Sequence, residues 1–337
     1  MSYENIRLEK GMYSAKGGFT AALEALDPSE NYKGTALEGL DAYQRQLKRF
    51  DIRVGGPGSD KVEKFFSTSE SAALFPEYVS RAVRQGMEDA NILPKIVATV
   101  TDIDALDYRT ITSIPSEDDK ELKMVAEGAI IPETSIKTKE NLVRLKKMGR
   151  MLVASYEAIR FQRIDLFTVT LKQIGAQIAR SQVQHAIATI LLGDGNENPA
   201  EIVDTKEEGV LTYSDLLDFW GKFDPYELNA ILATPEVLRT ILAMEEFRDS
   251  VAGLSFHATG KLVTPLGAEL VKIPSFAADV LIGLDKNCAL ELVRAGGIVT
   301  EYDKLIDRQL ERAAITCTFG FSKIFDDASK VIVLERA

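Results

Sequence analysis

Chemistry in this 337-residue chain would have to be built from two histidines, two cysteines and a surplus of carboxylates. His185 falls inside a long helical pattern and His257 follows Phe256 in a glycine-containing stretch. No GxSxG, HExxH or CxxC motif supplies either with a nucleophile or a metal-binding companion. Cys288 and Cys317 sit in apolar sequence, which predicts buried, reduced thiols and not a disulfide framework or a zinc site. Asp194, Asn196 and Asn198 imitate the opening of a calcium-binding loop. Its sixth position, however, is Pro199 where the turn needs glycine, and its twelfth is Thr205 where a bidentate glutamate belongs. Gly193-Asp194-Gly195 comes after a helical segment, whereas a glycine loop that cradles phosphate comes before one. These patterns predict no enzyme activity, no metal and no cofactor.

The charged residues are more informative. Between Ala105 and Ser155 a long polar excursion is acidic at its near end, Glu117-Asp118-Asp119, and basic at its far end, with Lys137, Lys139, Lys146, Lys147 and Arg150. Opposite charges at the two ends could set the register of a contact with another subunit; the same pattern also fits two solvated faces of an ordinary surface loop. Over the whole chain the formal charge is -11, which argues against a protein that wraps nucleic acid by neutralising phosphates. A composition of 45% hydrophobic and 27% charged residues is that of a folded protein of one large or two ordinary domains. Apolar runs such as Ile187 to Leu192 fall far short of the roughly 20 residues a membrane span needs. The first residues, Met-Ser-Tyr-Glu-Asn, lack a signal-peptide core, so the expectation is a protein kept in a cytoplasm.

The element that must position everything else runs from Glu157 to Leu192 without a proline. Ile164, Phe167, Leu171, Ile174 and Ile178, then Val183, Ile187 and Ile190, recur at helical spacing, while Arg163, Lys172, Gln177, Arg180 and Gln184 fall on other faces. Only Gly175 interrupts the pattern. The expected rod would span on the order of 54 Å, a rigid spine better suited to a plate-like subunit than to a small globule.

Around this spine the elements follow in order. Residues 1 to about 66 include a helix candidate from Thr35 to Phe50 and have few aliphatic residues, which predicts an arm lying on other surfaces. Phe75-Pro76-Glu77 opens a helix expected to stop at Pro94. Leu106 to Thr112 and Val143 to Val153 alternate as two strands of an extended hairpin, with Val143, Leu145, Met151 and Val153 on one face. After a turn at Gly193 to Pro199, a mixed region predicts a helix capped at Thr212 or Ser214, a buried strand Ala230 to Ala233 and a helix from Thr234-Pro235. Short apolar runs between Gly253 and Gly297 precede strands at Ala314 to Phe319 and Val331 to Leu334, expected to return to the first structural unit.

Five stretches carry a resemblance to the major capsid proteins of tailed bacteriophages, the Hong Kong 97-like family. They are Ala72-Ala73-Leu74-Phe75-Pro76-Glu77-Tyr78-Val79; Ala126-Glu127-Gly128-Ala129-Ile130-Ile131-Pro132-Glu133; Ser155-Tyr156-Glu157; Leu191-Leu192-Gly193-Asp194-Gly195; and Leu232-Ala233-Thr234-Pro235-Glu236 with Thr264-Pro265-Leu266-Gly267. Each is weak alone; their order around a long helix is specific. The resemblance implies an α+β capsid fold with a long spine helix, an extended β-hairpin loop, and peripheral and axial domains. Its boundaries would be an N-terminal arm at 1–69, peripheral segments at 70–105 and 155–209, the extended loop at 106–154, the axial domain at 210–298, and peripheral C-terminal strands at 299–337. It further implies hexamers and pentamers of one chain closing an icosahedral shell around double-stranded DNA, without sequence-specific contact and without a membrane. Partners would be a scaffolding protein, a portal and decoration proteins, and the location a virion capsid assembled in the host cytoplasm. The expectation is a separate scaffold and no N-terminal cleavage. Lys120, Lys123 and Lys137 lie on the loop, but no feature marks an asparagine partner for the lysine crosslink some relatives form. The alternative is an encapsulin, a shell of the same fold that encloses cargo enzymes, whose chains generally lack a long arm such as Met1 to Asp60.

Overall fold

The computed structural model describes residues 3–15, 17–105, 107–112, 124–125, 127–128, 137–248, 266–276 and 279–334. The chain divides into two compact units, the first made of residues 1–91, 148–179 and 297–317 and the second of 92–147, 180–296 and 318–337. Helices in chain order are α1 (Gly18–Leu26), α2 (Ala42–Arg49), α3 (Ser69–Ala72), α4 (Phe75–Asp89), α5 (Tyr156–Phe161), α6 (Ile164–Leu192), α7 (Tyr213–Gly221), α8 (Pro235–Ala243) and α9 (Glu245–Arg248). The strands are β1 (Thr99–Ile103), β2 (Ile111–Thr112), β3 (Lys137–Thr138), β4 (Lys146–Ser155), β5 (Glu201–Ile202) and β6 (Ala230–Ala233). They continue with β7 (Glu269–Lys272), β8 (Val280–Leu284), β9 (Leu290–Ala295), β10 (Val299–Leu305), β11 (Leu310–Lys323) and β12 (Ser329–Val333).

In the first unit α4 opens with Pro76 in its first turn, where the missing N–H would have no partner anyway, and buries Phe75, Tyr78, Val79, Ala82 and Val83. It stops at Asp89, short of the expected Pro94, which instead sits in a separate 3₁₀ turn at Leu93–Lys95. Where α4 meets the spine α6, two glycines face each other. A Cβ on Gly86 would overlap the backbone of Lys172, and one on Gly175 the carbonyl oxygen of Val83. Gly175, which looked like an interruption of the helix, is what lets the two backbones touch.

The spine is shorter than its pattern predicts. Helix α5 ends at Gln162, whose backbone turns extended, and α6 begins two residues later. The cause is a crossing strand of the arm: the Val62 amide donates to the Gln162 carbonyl, the Ile164 amide donates to Asp60, and Lys61 bridges Arg163. Backbone groups engaged in that bridge are withdrawn from the helical ladder, leaving 29 residues in α6, about 44 Å long. The expected faces are present. Ile164, Leu171, Ile174, Ile178, Val183, Ile187 and Ile190 are buried, and Arg163, Gln177, Arg180 and Gln184 are exposed.

The arm also departs from expectation, since it packs within its own unit. Ile6, Leu8, Phe19, Leu23, Tyr43, Leu47, Val62 and Phe65 are all buried. Arg45, with no exposed surface, pairs with Asp27 at 2.7 Å, donates to the Leu40 carbonyl at 2.6 Å and lies 4.3 Å over the Tyr32 ring. Aromatic and guanidinium packing thus supplies the burial that the scarcity of aliphatic residues seemed to deny. Helix α2 is shorter than Thr35–Phe50 because Asp41 and Gln44 form a capping box that starts it at Ala42.

Among the described residues, one five-stranded sheet has the order β1-β9-β11-β10 with β4 on β11, and a second has the order β5-β12-β8-β6-β7. Strand β11 pairs antiparallel with β10 through Leu310–Thr316 and with β9 through Phe319–Lys323. The last strand, β12, does not return to the first unit as expected. It lies between β5 and β8, with Val331 opposite both Ile202 and Ile282. Helices α7, capped by Thr212, and α8 cover this sheet, and Phe219, Phe223, Ile231, Ile241, Leu281 and Ile332 form the core. The predicted buried strand Ala230–Ala233 is β6.

The expected hairpin is altered. Leu106 lies outside the described residues, β2 and β3 pair over two residues each, and β4 pairs with β11. The alternation also slips: Val143 is buried, but beyond Lys147 the half-buried positions are Met148, Leu152 and Ala154, while Met151 and Val153 are 53% and 49% exposed.

Gly175→Val should lower the unfolding free energy by roughly 3 kcal/mol through overpacking at the helix crossing. Gly11→Ala, where added atoms meet nothing within 4 Å, should change it by less than about 0.5 kcal/mol. Urea unfolding followed by circular dichroism measures both.

Candidate functional site

The base of the loop is built in the second unit from two extended segments. The Lys139 amide donates to the Thr110 carbonyl and the Val143 amide to that of Tyr108, both at 2.9 Å, continuing the β2–β3 ladder. One side is fixed by Glu291 on β9. Its buried carboxylate accepts hydrogen bonds from Thr101 at 2.5 Å, from Tyr108 at 2.8 Å and from Thr110. Burial, together with the hydrogen bond to this carboxylate and its charge, raises the Tyr108 phenol above its ordinary range.

The other side rests on Asp194, the residue just after Gly193, which takes a positive φ to end the spine. Its carboxylate is buried and accepts from the Ser322 hydroxyl and the Lys323 amide, each at 2.9 Å, and from Asn196 Nδ2 at 2.8 Å. Lys139 Nζ lies 3.4 Å from Asp194 and 3.2 Å from Asp326. Lys323 Nζ donates to the Asn198 carbonyl at 2.9 Å, and Asn198 Nδ2 to Asp326 at 2.6 Å. Asn141 adds a bond from its side chain to the Gly195 carbonyl. Burial pushes the Asp194 carboxyl up, but its hydrogen bonds and the Lys139 charge outweigh this, and the net shift is downward. Burial lowers the Lys323 ammonium to about 8.

The charged residues expected at a subunit contact therefore separate. Glu117, Asp118 and Asp119 lie outside the described residues. Lys137 is in β3, opposite Thr112. Lys139 is a correction: its ammonium is buried and paired inside the subunit, so it is not free to meet a neighbour. Lys146, Lys147 and Arg150 are exposed, and Arg150 donates to Gln177. Sequence reasoning missed Asp194, Glu291 and Lys323 as anchors. Asp194 was visible only as part of a failed calcium loop, and its oxygens are occupied by protein donors. Elsewhere burial and the neighbouring Asp285 push the Cys288 thiol up to about 12, and burial raises Cys317, which leaves both poor nucleophiles.

The loop base, spine and first strands of the second unit are also where sequence comparison finds a match. Residues 138–303 match the phage capsid protein family. The fold is Hong Kong 97-like. The chain superposes on the virus-like particle protein of Pyrococcus furiosus with TM-score 0.50 and 12% identity, covering 77% of this chain and 98% of that one. For the capsid of cyanophage P-SCSP1u the TM-score is 0.50 with 14% identity over 72% of this chain and 88% of that one. For the capsid of a native GTA particle it is 0.52 with 15% identity over 72% and 91%. At such identities the likeness is one of fold. No curated protein sequence matches this chain.

Asp194→Ala should destabilise the protein by about 3 to 5 kcal/mol, because buried Lys139 would lose one of its two carboxylate partners and the buried Ser322 hydroxyl and Lys323 amide would lose their acceptor. Because the native pKa of Asp194 is depressed, its ionic stabilisation is present above the ordinary carboxylate range and is lost as pH falls through the lowered value. Asp194→Asn should therefore flatten the acid limb of the stability profile, measured by urea unfolding between about pH 6 and pH 2.

Proposed function

We propose that this chain is a capsid protein that assembles through copies of itself, as hexamers and pentamers, into an icosahedral shell that encloses the double-stranded DNA genome of a tailed phage. The observation that carries this reading is a set of large apolar side chains left in water on the first unit. Phe161, Leu166 and Val169, at the end of α5 and the start of the spine, are 66%, 57% and 63% exposed. On the sheet of the same unit Met151, Val153 and Val299 are about half exposed, and Ile306 at the tip of the β10–β11 turn is 80% exposed. Isolated exposed apolar residues are ordinary, but so many large ones on two adjoining chain segments suit a surface that another subunit covers. In this reading 1–69 is the arm, 106–154 the extended loop, 210–298 the axial domain, and the spine with the flanking strands the peripheral domain.

A net charge of -11 suits a wall that confines DNA without gripping it. Scaffolding protein, portal and decoration proteins would be its partners, and a virion assembled in the host cytoplasm its place. The likeness to the Pyrococcus furiosus virus-like particle favours, as a second reading, an encapsulin-type compartment filled with protein cargo.

Electron microscopy and light scattering of the purified protein should show closed shells or flat hexameric sheets. A stable monomer at every concentration and salt level would overturn the proposal, and nucleic acid as against protein inside shells would decide between the two readings. Leu166→Ser with Val169→Ser should leave the melting temperature unchanged and abolish or weaken assembly. Lys147→Glu with Arg150→Glu should do the same if the exposed basic end of the loop docks on a neighbour; normal shells would remove that contact from the scheme.

A further inference from the structure

Within the second unit a cleft of about 540 Å³ opens between the loop base, the end of the spine and β11. Its charged lining is Arg144 and Lys146 from the segment entering β4, with exposed Glu197 and with Asp194, whose charge is paired with Lys139; His185 stands on the spine and the rings of Phe319 and Phe321 form the apolar wall. We propose that this cleft binds a carboxylate side chain of an acidic peptide segment presented by another protein.

Three observations support it. Arg144 and Lys146 are exposed and have no ion-pair partner among the described residues, whereas nearby Asp194 is already saturated by Lys139, Ser322 and the Lys323 amide. The Arg144 guanidinium is also given room by the backbone. It lies against Gly195, where an added Cβ would come within 3.1 Å of Nε, and its own carbonyl lies so close to Gly320 that a Cβ there would approach to 2.6 Å. Gly195 has a φ of +105°, a conformation that side chains disfavour, so the room for the guanidinium is built into the backbone. A guanidinium fork matches a carboxylate with two parallel hydrogen bonds.

Charge and size select the ligand. Two free cations less Glu197 leave one positive charge, which one carboxylate balances and a phosphate dianion exceeds. The volume is that of a small-ligand pocket, while an extended DNA backbone would meet the repulsion of an acidic chain. Phe319 and Phe321 can pack against the methylenes of a glutamate or its neighbours.

His185 supplies a readout. It stacks edge-on with Phe319 at 5.9 Å, and burial and then Lys146 lower its pKa. The charged groups facing it are Lys146, Arg144, Glu197 and the neutralised Asp194; the wall strand Phe319–Phe321 carries none. A bound carboxylate favours the imidazolium, so binding should tighten as pH falls through the His185 titration.

The test is fluorescence anisotropy of the full-length protein with a labelled peptide containing two adjacent glutamates, at low salt, and with its glutamine counterpart. The acidic peptide should bind and the neutral one should not. Arg144→Gln and Lys146→Gln should each weaken binding by about tenfold, and His185→Gln should abolish the tightening at lower pH. Glu197→Gln should tighten binding by about threefold, a gain that damaged folding cannot produce. No binding, equal binding of both peptides, or unchanged affinity in all three Gln variants of Arg144, Lys146 and Glu197 would overturn the proposal. So would displacement of the peptide by inorganic phosphate or a DNA duplex at lower concentration than by unlabelled peptide. None of these readouts depends on shell formation.

Discussion

One buried carboxylate, Asp194, constrains the functional half of this molecule. It lies where the spine helix must end, and it gathers donors from Asn196 in its own turn and from two places distant in sequence, Lys139 at the loop base and Ser322 with Lys323 on β11. A carboxylate without exposed surface is tolerable only when its lone pairs are filled, so every donor must be placed together. The requirement ties the root of the loop, the end of the helix and the strand into one arrangement, and from it follow the positions of Arg144 and Lys146 on the outside.

The first unit is governed by close approach. Gly86 and Gly175 let α4 and the spine touch backbone to backbone, which brings Phe75 within 6.0 Å of Phe167 and lets the Tyr78 hydroxyl bond the Ile164 carbonyl. The arm closes over this crossing, with Arg81 held between Asp41, Glu77 and Thr20 and stacked on Tyr43. By interrupting the helix at Gln162 and Arg163 it also sets where the spine begins.

The proposed shell role makes two demands that conflict in an ordinary globular protein. The chain must fold before it meets its neighbours, and it must keep apolar surface for them. The two demands fall on different residues here: buried glycine contacts, aromatic packing and saturated polar networks hold each unit, while Phe161, Leu166, Val169 and Ile306 remain outside. Stability and association can then be altered separately by mutation.

Much was legible in the sequence because it depends on local periodicity and local chemistry. The spine's two faces, the proline at the start of α4, the Thr212 cap, the strand Ala230–Ala233 and the glycine stop at Gly193 follow from spacing or from backbone preference, and the ordered motifs around the helix pointed to the capsid fold. Only the tertiary structure decided what a contact made of a residue. It turned Lys139 from a surface charge into a buried one, Asp194 from a failed metal ligand into an anchor, and Gly175 from a flaw into a crossing point. It also sent β12 to the other sheet and shifted the phase of β4. These outcomes depend on partners distant in sequence, such as Ser322 for Asp194 and Ile282 on one side and Ile202 on the other for Val331. Neither composition nor periodicity encodes which distant donor or backbone will arrive.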